Sequence, residues 1–144
     1  MTVALEDLGK AVKRLQHRHH RTMDTRLAVL GTTLVQWDAL RAISQNPDAS
    51  SHHLAQVTFQ TDQSFGTLAE RLVSRGLIDR VAGSGRALRH RLTPSGESLL
   101  HQGRVIANEV LTESFAALDP TERDTLYSLL TRLLNEPKMS PENE

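Results

Sequence analysis

The side chains with the clearest chemical potential are arginines. Between Arg71 and Arg91 the chain carries six of them (Arg71, Arg75, Arg80, Arg86, Arg89 and Arg91) and one acid, Asp79. A local basic patch is enough to attract phosphate, because charge is screened within about 10 Å at physiological salt. Histidines form a second group. His17, His19 and His20 cluster, and His17 and His20 are spaced to share one helix face. Zinc favours such spacing but needs three or four ligands, and no second ligand group accompanies the cluster. His52 and His53 form a separate pair. No metal or cofactor is expected. The histidines read as surface groups, with His19 partly buried.

Catalytic patterns are missing. The sequence has no glycine-rich phosphate loop, no HExxH, no GxSxG and no nucleophile paired with a base. Ser95-Gly96 belongs to a helix start. An enzyme is not expected. The absence of cysteine excludes a disulfide framework, a thiol nucleophile and a thiolate metal site.

The chain as a whole is neutral, with 17 basic and 17 acidic residues in 144. That balance is uneven along its length. From Glu109 to Glu144 there are eight acids and three bases, so an acidic stretch follows the basic one. This length suits a single domain and can bury roughly two-thirds of its unfolded surface. No apolar run is long enough for a membrane span. Glu6 and Asp7 precede any basic cluster and no hydrophobic core follows, so no signal peptide is expected and the cytoplasm is the expected compartment.

The elements that must position these residues can be read from apolar spacing and caps. Leu5, Leu8, Val12, Leu15, Met23, Leu27 and Leu30 make the stripe of a long amphipathic helix, with His19 on the same stripe and Gly31 at its end. Thr33 caps a second helix through Leu34, Trp37, Leu40, Ala42 and Ile43, which stops before Asn46-Pro47. Ser50 or Ser51 caps a short helix, and a break falls at Phe59-Gln60. Thr61 then caps a helix with Phe65, Leu68, Ala69 and Leu72 on one face and Gln63, Ser64, Thr67, Arg71 and Ser74 on the other, and Gly76 stops it. Leu77–Val81 and Leu88–Leu92 read as two strands around a Gly83-Ser84-Gly85 turn, with Leu88, His90 and Leu92 sharing a face. Thr93-Pro94 opens a helix with Leu99, Gly103, Ile106 and Val110 on its stripe. Asp119 caps the last helix, with Pro120 at its first position and Glu122 placed for a capping box. Leu126, Leu129, Leu130, Leu133 and Leu134 follow, and residues 135–144 read as a frayed tail. The predicted fold is mainly α with a small β-hairpin. A helix-turn-helix followed at once by a basic hairpin is a winged helix.

In that order the chain resembles the MarR family of winged helix-turn-helix transcriptional regulators, over nearly its whole length, from about Leu5 to Leu134. Leu30-Gly31-Thr32-Thr33 with Gln36-Trp37 is similar to the lead into the family's second helix. Leu68–Leu77, LAERLVSRGL, is similar to the end of its recognition helix. Arg89–Gly96, RHRLTPSG, is similar to its second wing strand and next helix start. Leu118–Arg123, LDPTER, is similar to the start of its last helix. Two positions depart from the family pattern. Ser84 stands where the wing commonly has an aspartate two residues before the arginine, here Arg86. Phe59 stands where the turn often has glycine.

The resemblance implies a homodimer that binds double-stranded DNA at a near-palindromic operator, most simply a repressor released by a small aromatic ligand. Residues 33–92 would form the DNA-binding lobe, and 3–30 with 94–134 the dimerisation helices. Gln63, Ser64 and Thr67 would face base edges, where Gln pairs with adenine and Ser and Thr are less selective. Arg71 would meet phosphate, Arg86 the minor groove, and Arg89 or Arg91 the backbone. Ser51 and His52, at a helix start, would add backbone contacts. A ligand pocket would be lined by His19, Met23, Trp37 and Leu40. The alternative is a winged-helix protein-interaction module without DNA affinity, which the missing wing aspartate and zero net charge keep open.

Overall fold

The computed structural model describes residues 2–82 and 88–135. The expected Gly83-Ser84-Gly85 turn, Arg86, and the expected frayed tail beyond Asn135 lie outside the described residues. The chain divides into two compact units, Met1–Val110 and Leu111–Glu144.

The first unit begins with α1 (Leu5–Leu27), whose first-turn acids Glu6 and Asp7 complement the positive end of the helix dipole. The expected stripe divides along its length. Leu5, Leu8 and Val12 are exposed, while Met23 and Leu27 are buried. The last predicted turn is a separate 3-10 turn, Ala28–Leu30, and Gly31 follows in the left-handed region at φ 74°. That conformation is cheap only for glycine. It reverses the chain so that α2 (Leu34–Gln45) can start at once. Thr33 caps α2 by accepting from the Gln36 amide, and Asp24 of α1 accepts from the Leu34 amide at 2.7 Å. Two amides of the first turn are thereby satisfied, one of them across helices.

α2 is the central element of this unit. Gln36, Trp37, Ala39, Leu40, Ala42 and Ile43 are all buried on it. The Trp37 indole N–H donates to the Leu100 carbonyl at 3.1 Å on α5 (Pro94–Ser114). The indole lies directly against Gly103, where an added Cβ would collide with Nε1 and Cδ1. Glycine at 103 is therefore a requirement of helix approach. Arg26 of α1 also reaches Glu109 of α5 at 2.6 Å.

α3 (Ser51–Val57) and α4 (Asp62–Ser74) form the helix-turn-helix. Ser50, the first of the two candidate serines, caps α3, and Thr61 caps α4. Between them Phe59 takes φ 58°, the left-handed conformation that glycine would hold without strain. Gly76 at φ 72° ends α4. The chain then enters β1 (Ile78–Ala82), which pairs antiparallel with β2 (Leu88–Leu92), from Ile78 opposite Leu92 to Ala82 opposite Leu88. Thr93 ties the hairpin's base down, its hydroxyl donating to the Gly76 carbonyl and accepting from the Gly96 amide. Gly96 abuts the Leu77 carbonyl, leaving no room for a Cβ. Phe65, Leu27, Leu40, Leu54, Leu72 and Ile78 form the fully buried centre.

Leu88 shares a face with His90 and Leu92, yet it is exposed, whereas His90 is buried. Alternation sets the direction of a side chain, but burial needs core beneath it, and Leu88 stands at the end of the hairpin far from the base fixed by Thr93.

The second unit contains α6 (Pro120–Leu134). Its capping box is complete: Asp119 accepts from the Glu122 amide at 2.9 Å, and Glu122 accepts from the Asp119 amide at 3.1 Å. No residue of α6 is buried, and Tyr127, Leu129, Leu130, Leu133 and Leu134 are exposed.

The Gly103 contact gives a direct test. Gly103→Ala should cost about 1–3 kcal/mol by overpacking, despite alanine's higher helix propensity. Urea unfolding followed by Trp37 fluorescence measures it. An unchanged or raised midpoint would show that the indole and α5 are not in contact.

Candidate nucleic-acid interface

α4 has two chemically distinct faces. Phe65, Ala69 and Leu72 are buried in the core, which fixes the helix rotation. Gln63, Ser64, Thr67 and Arg71 are exposed as a consequence. Their hydrogen-bonding capacity is already sorted. Thr61 donates its hydroxyl to Ser64 Oγ at 2.9 Å, so the Ser64 hydroxyl proton remains to be donated. Thr67 spends its proton on the Gln63 carbonyl at 3.1 Å, which leaves its oxygen as an acceptor. One face thus offers a donor, an acceptor and a Gln amide that can do both.

Ser51 and His52 are exposed in the first turn of α3. His52 reaches across the turn to Asp62, at the start of α4, with Nδ1 at 2.8 Å from one carboxylate oxygen. Sequence reasoning singled out His52 but not its partner, because ten residues separate the two and only the turn brings them together.

On the hairpin, Arg89 is half-buried and Arg91 exposed, and they leave the face opposite His90. Arg91 stands across from Asp79 and Arg89 across from Val81. An acid therefore accompanies the two arginines on that face. Arg86 lies outside the described residues.

Arg75 belongs to the arginine cluster by sequence but does a different job. Its guanidinium donates to the Gln36 side-chain oxygen and, at 2.8 Å, to the Gly31 carbonyl. Thr32 also donates to that Gln36 oxygen at 3.1 Å. The C-terminal end of α4 is thus fastened to the junction of α1 and α2. No periodic signal marks this role, since the partners lie 39 and 44 residues away.

His90 supports α4 from below. Its ring meets Phe65 edge-on, with centroids 5.9 Å apart and planes at 88°. It is 6% exposed, and its Nδ1 has no partner. Burial and then the Arg80 charge, opposite it in the hairpin, push its pKa below the ordinary 6.5. His90 is therefore neutral in the folded chain near pH 7.

The four residues expected to line a ligand pocket are placed differently from one another. Met23, Trp37 and Leu40 are packed into the core, whereas His19 is half-buried. Burial and the neighbouring Arg18 lower the His19 pKa. Among the described residues no three His, Asp or Glu side chains gather as a metal site. No described helix is long and apolar enough to cross a membrane.

The model of the MarR family matches residues 30–87, which contain α2, α3, α4 and β1. The HTH-type transcriptional repressor Rv2887 of Mycobacterium tuberculosis is 30% identical over 109 residues, 74% of this chain and 78% of the relative. The chain belongs to the MarR family. Among solved MarR-like structures, a probable transcriptional regulator from Pseudomonas aeruginosa is 30% identical with a TM-score of 0.78, covering 90% of this chain and 99% of that one. The Rv2887 protein in complex with salicylic acid is 28% identical with a TM-score of 0.73, covering 88% and 95%. In this MarR-family chain Phe59 keeps the left-handed turn without the glycine that suits it.

Two outcomes test this geometry. Folding lowers the His90 pKa, so the unfolded chain takes up that proton first. The stability tied to His90 is complete above about pH 6.5 and is lost as pH falls below it. The melting temperature of the native chain should drop more between about pH 7 and about pH 5 than that of His90→Leu. Parallel profiles would remove His90 from the acid sensitivity. Arg75→Ala should cost about 1–3 kcal/mol in urea unfolding, because the buried Gln36 oxygen loses a charged donor. Arg75→Lys should restore only part, since an ammonium cannot fork to two acceptors in fixed geometry.

Proposed function

We propose that this chain is a homodimeric repressor that binds near-palindromic double-stranded DNA and is released by a small aromatic acid. The observation that carries the reading is the α4 face, where Gln63, Ser64 and Thr67 stand exposed on a helix whose other side is locked in the core. A helix offered in this way suits the major groove. Arg71 and Arg91 are the proposed phosphate contacts, with Arg89 beside them and Arg86 of the hairpin turn in the minor groove. The relative named as an HTH-type transcriptional repressor supports repression over activation.

Residues 33–92 are the proposed DNA-binding lobe, and 3–30 with 94–134 the dimerisation helices. The exposed Leu5, Leu8 and Val12 on α1, and Leu130, Leu133 and Leu134 on α6, support an interface there. The ligand class follows from the MarR-family relative solved with salicylic acid. His19, the accessible member of the expected pocket, is the proposed polar contact for the carboxylate. Met23, Trp37 and Leu40 would form the wall behind it, reached only if the core opens. A regulator of this kind works in the cytoplasm.

The test is selection of bound fragments from a random duplex pool at moderate salt. A near-palindrome with half-sites about 10 base pairs apart is expected. Gln63→Ala should relax the preference at one position of each half-site, at about 1–3 kcal/mol. Salicylate should raise the melting temperature and release the selected DNA. A folded, dimeric chain that enriches no sequence would sink the reading and favour a protein-interaction module.

A further inference from the structure

His52 and Asp62 sit on the proposed DNA-facing surface, and their contact has a consequence for binding itself. Nδ1 lies 2.8 Å from one Asp62 oxygen and 3.1 Å from the other. A carboxylate only accepts hydrogen bonds, so Nδ1 carries the proton and Nε2 is the open position of the ring. Both side chains are about two-thirds exposed, at 66% and 68%. In that setting the pair adds little to stability. Its weight falls on whatever approaches from solvent.

Asp62 is the first residue of α4, next to Gln63. A carboxylate there repels the phosphates that the exposed α4 face would have to approach. Neutral His52 does nothing to offset that charge, and its bare Nε2 can only accept. A phosphate oxygen can only accept too, so the two cannot bond. Protonated His52 differs in both respects. It balances Asp62 and presents an N–H donor at Nε2.

We infer that His52 is charged in the DNA complex, held between Asp62 and a backbone phosphate, so that DNA binding takes up a proton at this ring. The inference rests on the DNA-binding reading above. Asp62 is a positioning residue in it. The elements packed against α3 are α2, α4 and β2. Their charged or titratable groups are Asp38 and Arg41, then Asp62, Glu70 and Arg71, then Arg89, His90 and Arg91. Among the described residues Asp62 alone makes a hydrogen-bonding contact with the His52 ring. Arg41 is already paired with Asp38 at 2.8 Å. Arg71 lies about two and a half helical turns from Asp62. His53 is the ring's neighbour in sequence and makes no carboxylate contact among the described residues, which makes it the control.

Phosphate contact is independent of sequence, so the probe is a labelled mixed-sequence duplex of about 30 base pairs. The full chain is titrated onto it at constant ionic strength, from about pH 6 to about pH 8. Affinity should fall as pH rises, by at most about tenfold per pH unit for each chain, the limit for one proton. His52→Gln should flatten the profile near the weak, high-pH level of the native chain, while His53→Gln keeps the native slope. Asp62→Asn should bind more tightly than the native chain at about pH 8, because the repelling carboxylate is gone. A His52→Gln slope equal to the native one overturns the inference. Native binding with no pH dependence overturns it as well. Absence of native binding at every pH overturns the DNA reading together with it.

Discussion

The arrangement of this molecule depends on one buried oxygen. Gln36 Oε1 lies inside the junction of α1 and α2, where it accepts from Thr32 and from Arg75. An amide oxygen without partners in such a place would cost about 1–3 kcal/mol. The same guanidinium that satisfies it also takes the Gly31 carbonyl, freed by the left-handed turn that ends the first helical segment. Arg75 stands at the C-cap of α4. The end of the helix proposed to read DNA is therefore set by the polar needs of the junction between α1 and α2.

Much of the remaining architecture is organised around α2. Trp37 reaches α5 through its N–H and against the bare backbone of Gly103, while Leu40 and Ile43 face the centre that Phe65 and Leu72 enter from α4. His90 closes this centre from the hairpin. The first unit is held by apolar contacts with a few polar fasteners at its joints. The polar fasteners decide orientation, since a hydrogen bond has direction and apolar burial has little.

The legible part of the fold was the local part. Thr33, Thr61, Thr93, Asp119 and Pro94 each act within one helical turn, so their roles follow from spacing alone. Ser50 and Ser51 were equivalent by type, and only the backbone geometry, extended at Ser50 with its side chain accepting from the His53 amide, chooses between them. The roles of Arg75 and Asp62 were passed over for one physical reason: their partners are brought near by folding, not by sequence. The polar face of α4 was legible because its apolar opposite is periodic. The proposed pocket was the weakest reading, since helical periodicity marks Met23, Trp37 and Leu40 as inward but does not say whether a cavity or a neighbour awaits them. Leu88 shows the same limit on a strand.

The hairpin has a further property that concerns neither phosphate nor groove. It has only two strands, and no third strand joins either side among the described residues. Each strand thus has one edge without a strand partner, and an unpaired edge is a template onto which another extended chain could add. Asp79, Arg80, Arg89 and Arg91 occupy those strands, so charges of both signs stand at closely spaced positions. A strand from a second molecule would have to desolvate them to pair. The arginines thus guard the chain against edge-to-edge aggregation, and replacing them wholesale with apolar residues would create a sticky ribbon in a protein of zero net charge.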